Sequence, residues 1–311
     1  MGAVPSTPVS PPITEHNIPD QTGKVHLITG GTSGIGIELA RILYAANAKV
    51  YILARSASKA RSVIASIQST YPSSKGSLHI LEADFSDLST IKAAANEFLK
   101  KERRLDVLFN NAGIMIPPVG TVTKQRYEAQ LGVNVLAPFL FTKLLGPVLG
   151  RGSRVVWVSS SAARNFSPDG GVVMTKLGQK ENWSQWQWYG ISKAASILLS
   201  AEMAQRMEAE GLTSVSMDPG NLATDLYVNM PKWQHYIAKL AALKPPVFGA
   251  YTELYAGLSQ QVKSGDWVVP WGKVDLPRED IANSCKPKAD GGSGLSQEFW
   301  NWCEQEVRAF A

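Results

Sequence analysis

Short apolar runs alternate along this chain with longer stretches whose apolar residues recur at helical spacing. The runs 24–28, 49–55, 78–83, 107–109, 154–158, 214–217 and 266–270 predict short strands, of the kind buried on both faces in a parallel sheet. The stretches 37–46, 57–70, 88–101, 124–149, 189–207 and 295–309 carry apolar residues three and four apart and predict helices. Asp87 stands where it would cap the third of these. The strands end in Gly, Asn, Ser or Pro, so small and polar residues collect at one end of them. Regular alternation of strand and helix predicts an α/β, doubly wound fold in one domain, with a mostly parallel, seven-stranded sheet. Ligands of such sheets bind at the C-terminal strand ends.

Composition narrows the field. The chain has 311 residues, 44% hydrophobic and 18% charged, ordinary values for a globular protein. The net charge of +5 is spread over scattered basic residues, which argues against nucleic acid as a partner. Cys285 and Cys303 form no CxxC, and the four histidines are dispersed, so neither a disulfide framework nor a metal site is expected. Residues 1–23 contain no Lys or Arg and five prolines, which predicts a flexible or draped arm rather than a targeting signal. The apolar run 133–149 includes Asn134, Lys143 and two prolines, and so predicts a buried helix rather than a membrane span. A cytoplasmic location follows as the default. Residues 24–273 are read as the main domain and 274–311 as a C-terminal loop and helix.

The first strand runs into Thr29-Gly30-Gly31-Thr32-Ser33-Gly34-Ile35-Gly36 and then a helix. Strand, glycine-rich turn and helix N-terminus together are the setting in which a dinucleotide pyrophosphate is held. Gly30 allows the tight turn, and Gly34 and Gly36 let backbone approach phosphate and helix approach sheet. A purely structural turn is the bland alternative. The second strand ends in Ala54-Arg55, where an acid would bind the ribose of NAD. Arg55, with Lys59 one helical turn on, suits a 2′-phosphate instead, and Thr32 and Ser33 add hydroxyl donors. Asp84 is placed either to cap the helix after it or to bond an adenine amino group. Asn111-Ala112-Gly113 supplies small residues after the fourth strand, which let backbone lie close to a ligand. Asn134, polar on an apolar helix, predicts a kink or a water chain.

Tyr189 and Lys193 stand one helical turn apart on one face. An ammonium near a phenol favours the phenolate and lowers its pKa from ~10. Such a tyrosine can exchange a proton with a substrate oxygen near neutral pH. The spacing alone proves little, because Tyr71 and Lys75 share it. Pro72 and the serines between those two make that copy a loop.

The glycine turn, Asn111-Ala112-Gly113, Asn134, Ser160, Tyr189 with Lys193, and Pro219-Gly220 resemble, in this order, the short-chain dehydrogenase/reductase family. The resemblance covers about residues 24–273, and its branch is that of retinol-dehydrogenase-like and fungal-type reductases. It implies a Rossmann fold and NADP(H) as cofactor. It implies that Tyr189 is the general acid/base, that Lys193 holds the nicotinamide ribose, that Ser160 holds the substrate oxygen, and that Asn134 anchors a water relay to Lys193. Ile35, Phe85, Leu222 and Thr224 join the residues above as implied cofactor contacts, with Pro219, Gly220, Tyr189 and Lys193. The chain departs from the family's usual pattern in two places. Trp157 stands where Asn is frequent, and 28 residues separate Ser160 from Tyr189, about twice the usual gap. The extra stretch carries Trp183, Trp186 and Trp188.

The activity so implied is interconversion of a ketone or aldehyde and an alcohol, on a lipophilic substrate of secondary-metabolite type. An isomerase or dehydratase, or a redox-silent NADP-binding protein, are the alternatives on the same scaffold. Leu226, Tyr227, Met230, Trp233, Tyr236, Ile237 and Leu240 predict an apolar substrate lid over 224–248, completed by the Trp-rich insert. A surface helix packed on the core is the competing reading of that segment. Helices 124–149 and 188–207 are apolar on more than one face. The matching helices of the family often pair between subunits, so a homodimer is expected, against a monomer whose tails cover them.

Overall fold

The structure is a computed structural model and describes residues 10–177, 183–224 and 243–311. The first half of the chain contributes β1 (Val25–Thr29), α1 (Gly34–Ala45), β2 (Lys49–Ala54), α2 (Ala57–Thr70), β3 (Ser77–Glu82), α3 (Ile91–Lys101) and β4 (Val107–Asn110). Next come α4 (Ala129–Leu131), a π-helical segment Gly132–Leu136 and α5 (Ala137–Leu144). The second half adds β5 (Arg154–Val158), α6 (Ala162–Phe166), α7 (Gln185–Arg206), β6 (Thr213–Met217), α8 (Val247–Leu258), β7 (Trp267–Val269), β8 (Lys273–Asp275), α9 (Glu279–Ser284) and α10 (Leu295–Val307). The strands form one sheet in the order β3-β2-β1-β4-β5-β6-β7-β8, parallel except for the last pair. The sheet therefore has eight strands where seven were expected. The added strand, β8, is three residues long and exposed throughout, so it has no apolar signal, and it opens the loop rich in Lys, Pro and Gly.

Successive strand residues face opposite sides of the sheet. Leu27, Tyr51, Leu108 and Val155 pack with α3, α5, α7 and α10, and Ile28, Ile52, Phe109 and Val156 pack with α1, α2 and α8. Burial on both sides is why the strands read as continuous apolar runs. Trp157, at the family's frequent Asn position, is one of the buried set and donates its indole N–H to Ser214 Oγ at 3.1 Å. It fills the core on the α7 side of the sheet. Chain order reverses between β1 and β4, so a crevice opens at the C-terminal ends of these two strands.

The helix expected over 124–149 differs. Arg126 has a φ of 69°, which no right-handed helix accepts, and Val122 bridges Glu128 as in a short antiparallel pair. Glu128 then caps α4 by accepting from Leu131 N at 2.9 Å. The helix begins there, widens into the π segment around Asn134, and stops at Leu144 before Gly146 and Pro147. The C-terminal helix α10 lies against α5 and α7. Trp300 meets Phe139 edge-on at 4.8 Å between centroids, the Arg206 guanidinium stands 5.1 Å from the Trp300 ring, and Lys143 pairs with Glu304 at 2.9 Å. At the other end of the chain, Gln21 N donates to Ala46 O at 2.7 Å, and Ile13 and Ile18 pack on the face made by α1 and α8.

Candidate active site

The turn after β1 shapes the first half of the site. Gly30 has a φ of 71°, and a Cβ on it would stand 3.0 Å from Ala112 Cα. A Cβ on Gly36 would stand 2.5 Å from the Gly30 carbonyl oxygen, so α1 can only start here if both are glycine. Ser33 is the N-cap of α1, yet its side chain makes no capping bond, and the first turn holds no acidic residue. The first N–H groups of α1 therefore face the cleft uncapped, with the positive end of the helix dipole behind them. The cleft has a volume of about 760 Å³. Gly30, Thr32, Ser33, Gly34 and Ile35 line it, with Arg55 and Lys59, with Asp84 and Phe85, and with Asn111, Ala112, Gly113 and Thr224. The Arg55 and Lys59 side chains are exposed and have no ion pair among the described residues. Asp84 accepts from Ser86 N and Oγ at 2.9 and 2.8 Å, and the cap at the following helix falls to Asp87, which accepts from Ser89 N at 3.1 Å.

The second half is a smaller cavity, about 320 Å³, joined to the first through Ile35, Asn111, Gly113 and Thr224. Ser160, Tyr189 and Lys193 line it together with Pro219, Gly220 and Leu222. Three strand ends converge here, those of β4, β5 and β6, and α7 brings in Tyr189 and Lys193. A capping box, with Ser184 and Gln187 each bonded to the other's backbone, fixes the start of α7. Lys193 is buried, its Nζ donates to Val158 O at 2.9 Å, and it stands 5.6 Å from the Tyr189 ring centroid. Burial pulls its pKa down to about 8, against the pull of Asp218 and Glu253. Ser159 also borders the cavity, but its hydroxyl proton is taken up by Lys193 O at 2.6 Å. Ser160 Oγ accepts from Ala162 N at 3.2 Å.

Gly36 and Asn134 alone among the expected site residues line neither cavity. Asn134 grips the Ile114 backbone from both sides: Oδ1 accepts from Ile114 N at 2.8 Å and Nδ2 donates to Ile114 O at 2.9 Å. Its second amide proton goes to Ser192 Oγ at 3.0 Å. The π segment is the kink that a polar residue on this helix called for, and such segments gather at functional sites. The Trp-rich insert divides. Trp186 lines the cavity beside Phe166 at 4.8 Å between ring centroids, whereas Trp188 is a core residue and Trp183 packs on the core. Only one of the three belongs to the cavity wall, because α7 starts at Gln185 and its helical spacing turns Trp188 inward. The lid residues 226–240 lie outside the described residues. Met115, Ala162, Asn165 and Phe166 line the cavity and were not anticipated. Their signal was slight, since none is an unusual residue in its local context.

Comparison with known proteins agrees with this geometry. The family model for short chain dehydrogenase matches residues 24–173. A short-chain dehydrogenase/reductase of Phomopsis amygdali is 46% identical over 97% of this chain and 95% of its own. Among solved structures, an uncharacterised protein of Mycobacterium paratuberculosis superposes with a TM-score of 0.74 at 28% identity, covering 95% of this chain and 97% of its own. A short-chain dehydrogenase of Burkholderia cenocepacia, solved in complex with NADP, superposes with a TM-score of 0.64 at 26% identity over 81% of this chain and 98% of its own. By its strand order, its two-part crevice and its relatives, this chain belongs to the short-chain dehydrogenase/reductase family of oxidoreductases.

Proposed function

We propose that this chain interconverts a ketone or aldehyde and an alcohol with NADP(H), on a lipophilic substrate. One observation carries the reading: Tyr189, Lys193 and Ser160 share a cavity that opens directly into the glycine-lined cleft. The fit of a dinucleotide to that cleft is supported by the uncapped start of α1 and by the glycines whose Cβ atoms would close it. Gly30, Thr32, Ser33 and Gly34 would hold the pyrophosphate, Arg55 and Lys59 the 2′-phosphate, Asp84 and Phe85 the adenine end. Asn111, Gly113 and Lys193 would hold the nicotinamide ribose, and Pro219, Gly220, Leu222 and Thr224 the nicotinamide. Two cations without an ion-pair partner among the described residues favour NADP(H) over NAD(H), and the Burkholderia protein was solved with NADP.

The bound cofactor supplies or accepts the hydride, and the chain's own residues manage the proton. Tyr189 gives its phenolic proton to the carbonyl oxygen in reduction and takes one from the alcohol in oxidation. Lys193, an ammonium beside the ring, favours the phenolate. Ser160 Oγ accepts from Ala162 N, which leaves its own O–H to donate to the substrate oxygen. Asn134 holds Ile114, and with it Gly113, against Lys193. A water relay from its side chain to Lys193 would use Oδ1, because both amide protons are engaged. Met115, Ala162 and Trp186, packed with Tyr189, and Phe166 beside Trp186 give the cavity one apolar side, which suits a bulky lipophilic substrate. A panel of carbonyl compounds of rising bulk, incubated with NADPH and followed by loss of its absorbance and mass spectrometry of products, tests this. Turnover of large apolar ketones ahead of small polar ones is expected. No turnover across the panel would overturn the activity, and a preference for small polar ketones would overturn the substrate class.

A further inference from the structure

Helix α8 carries a carboxyl group that the chemistry above does not use. Glu253 is fully buried, and neither of its oxygens has a hydrogen-bond partner among the described residues. Its neighbours on the helix fix its place. Gly249, one turn earlier, would put a Cβ 2.4 Å from Leu222 and 3.0 Å from Ile35, both of which line the substrate cavity. Gly257, one turn later, would put one 2.7 Å from Phe109 at the end of β4. Residues four apart share a helix face, so Glu253 sits on the stripe of α8 pressed against the sheet. The two glycines let the helix come that close. Glu253 lies behind the cavity floor, and Lys193 is tied to the same packing, because its Nζ bonds Val158 O and the Val158 side chain belongs to the cluster formed with Ala250 and Leu254 of α8.

We propose that Glu253 is a positioning residue for the acid–base pair, a proton-holding group behind Lys193 that sets the charge Lys193 presents to Tyr189. The proposal rests on the roles assigned above to Tyr189 and Lys193. A carboxylate without partners in an apolar packing is strongly disfavoured, so the group stays protonated at neutral pH. Burial pushes it up to about 8, the value to which burial pulls Lys193 down. Two groups that interact and titrate together behave as a pair. When Glu253 releases its proton, the new negative charge holds the proton on Lys193. The cation beside Tyr189 then survives to higher pH than it would alone.

The other charges near α8 leave this pairing intact. Asp218, after β6, is buried, accepts from Gly220 N at 2.9 Å and attracts the Lys193 charge more than Glu253 does, so Glu253 acts on top of a constant Asp218 contribution that both the wild type and the Glu253 variants keep, while Arg164 of α6 acts on Asp218. At the far end of α8, Arg154 donates to Ala256 O and Val262 O and is offset by Asp266. On the flank facing the N-terminal arm, Tyr251 groups with Glu15, Glu38 and Arg41. Among the described residues, Lys193 is the charge whose attraction offsets the burial of Glu253. The face of the sheet under α8 carries apolar Val107, Phe109, Val156 and Val268, and beside Phe109 the buried His26, whose pKa burial pulls down to about 4, so it stays neutral across the range of the test.

The test is a pH–rate profile of the full chain and its Glu253→Gln variant with NADP(H). The alkaline limb, where the Lys193 charge is lost, should move about one pH unit lower in Glu253→Gln. Glu253→Asp, which keeps the titrating group, should return part of that shift. A residue needed only for packing would alter rate or stability without moving the limb, and an unmoved limb overturns the proposal. Carboxyl ¹³C NMR of the glutamate-labelled chain needs neither turnover nor the glutamine variant. One glutamate carboxyl should titrate near pH 8, and in Lys193→Met its midpoint should rise, because the attracting cation is gone. No glutamate titrating above about pH 6, or a midpoint indifferent to Lys193, overturns the proposal. A chain inactive on every carbonyl would defeat the proposed activity, and the NMR titration would still decide Glu253.

Discussion

Tyr189→Phe keeps the ring that packs with Met115 and Ala162 and removes only the proton. Turnover should fall by at least ~10²-fold with the melting temperature unchanged, since general acid–base groups contribute about that much. Arg55 supplies a second test. The pair Ala54→Asp with Arg55→Ala should turn preference from NADP(H) to NAD(H), because a charge-assisted bond of ~1.5–3 kcal/mol is exchanged for repulsion. Fluorescence titration with both cofactors, at low and high salt, measures it, and wild-type preference should weaken as salt screens the contact. Glu253 predicts a stability trend of its own. Its folded pKa of about 8 lies above the ordinary 4.5. Below 4.5 both folded and unfolded chains hold the proton. Between the two values only the unfolded chain releases it, so stability falls as pH rises, and the full penalty stands above 8. Glu253→Gln should therefore melt like wild type at pH 4.5 and higher than wild type at pH 8, which scanning calorimetry would show. Tyr189, Lys193 and the glycine turn were legible because their chemistry sets their spacing. Glu253 was not. No helix was expected over Val247–Leu258, and only packing reveals that this glutamate is turned inward.

Gly190 shows how elements hold those residues. A Cβ there would stand 2.5 Å from Phe166 C and 2.6 Å from Ser167 N, backbone atoms that cannot swing aside. Gly190→Ala must push α7 away from the end of α6, and with it Tyr189 from Ser160. A loss of ~1–3 kcal/mol in urea unfolding is expected, the usual range for overpacking, together with a fall in kcat. Gly146→Ala, with nothing near its Cβ, is the control. Some elements were readable from sequence to within a few residues, as α2 and α10 show, but the buried helix α8 was not expected at all. The helix around Asn134 was misjudged at its start, because the left-handed Arg126 leaves no mark in an apolar count. β8 has exposed side chains throughout and is held by backbone bonds to β7, which no pattern of side chains records.

At the scale of the whole molecule, α10 occupies the outer side of α5 and α7, the face on which a homodimer was expected. The sequence shows that those helices have apolar sides but not what covers them, and here a later part of the same chain does. We therefore expect light scattering to give a monomer near the chain mass of 33.7 kDa. Trp300→Ala should cost about 3 kcal/mol, the low end for a large aromatic, and expose Phe139 to self-association. The strand order has a bearing on biosynthesis. β1, β2 and β3 are consecutive in the chain and adjacent in the sheet, so a nascent polypeptide can complete the edge bearing Arg55 early. Ser160, Tyr189 and Pro219 arrive only as β5, α7 and β6 add in turn, and α8 closes the floor with Glu253 after all of them. A ribosome stalled between β4 and β5 would thus hold a chain that carries the glycine turn and Arg55 but none of Ser160, Tyr189 and Lys193.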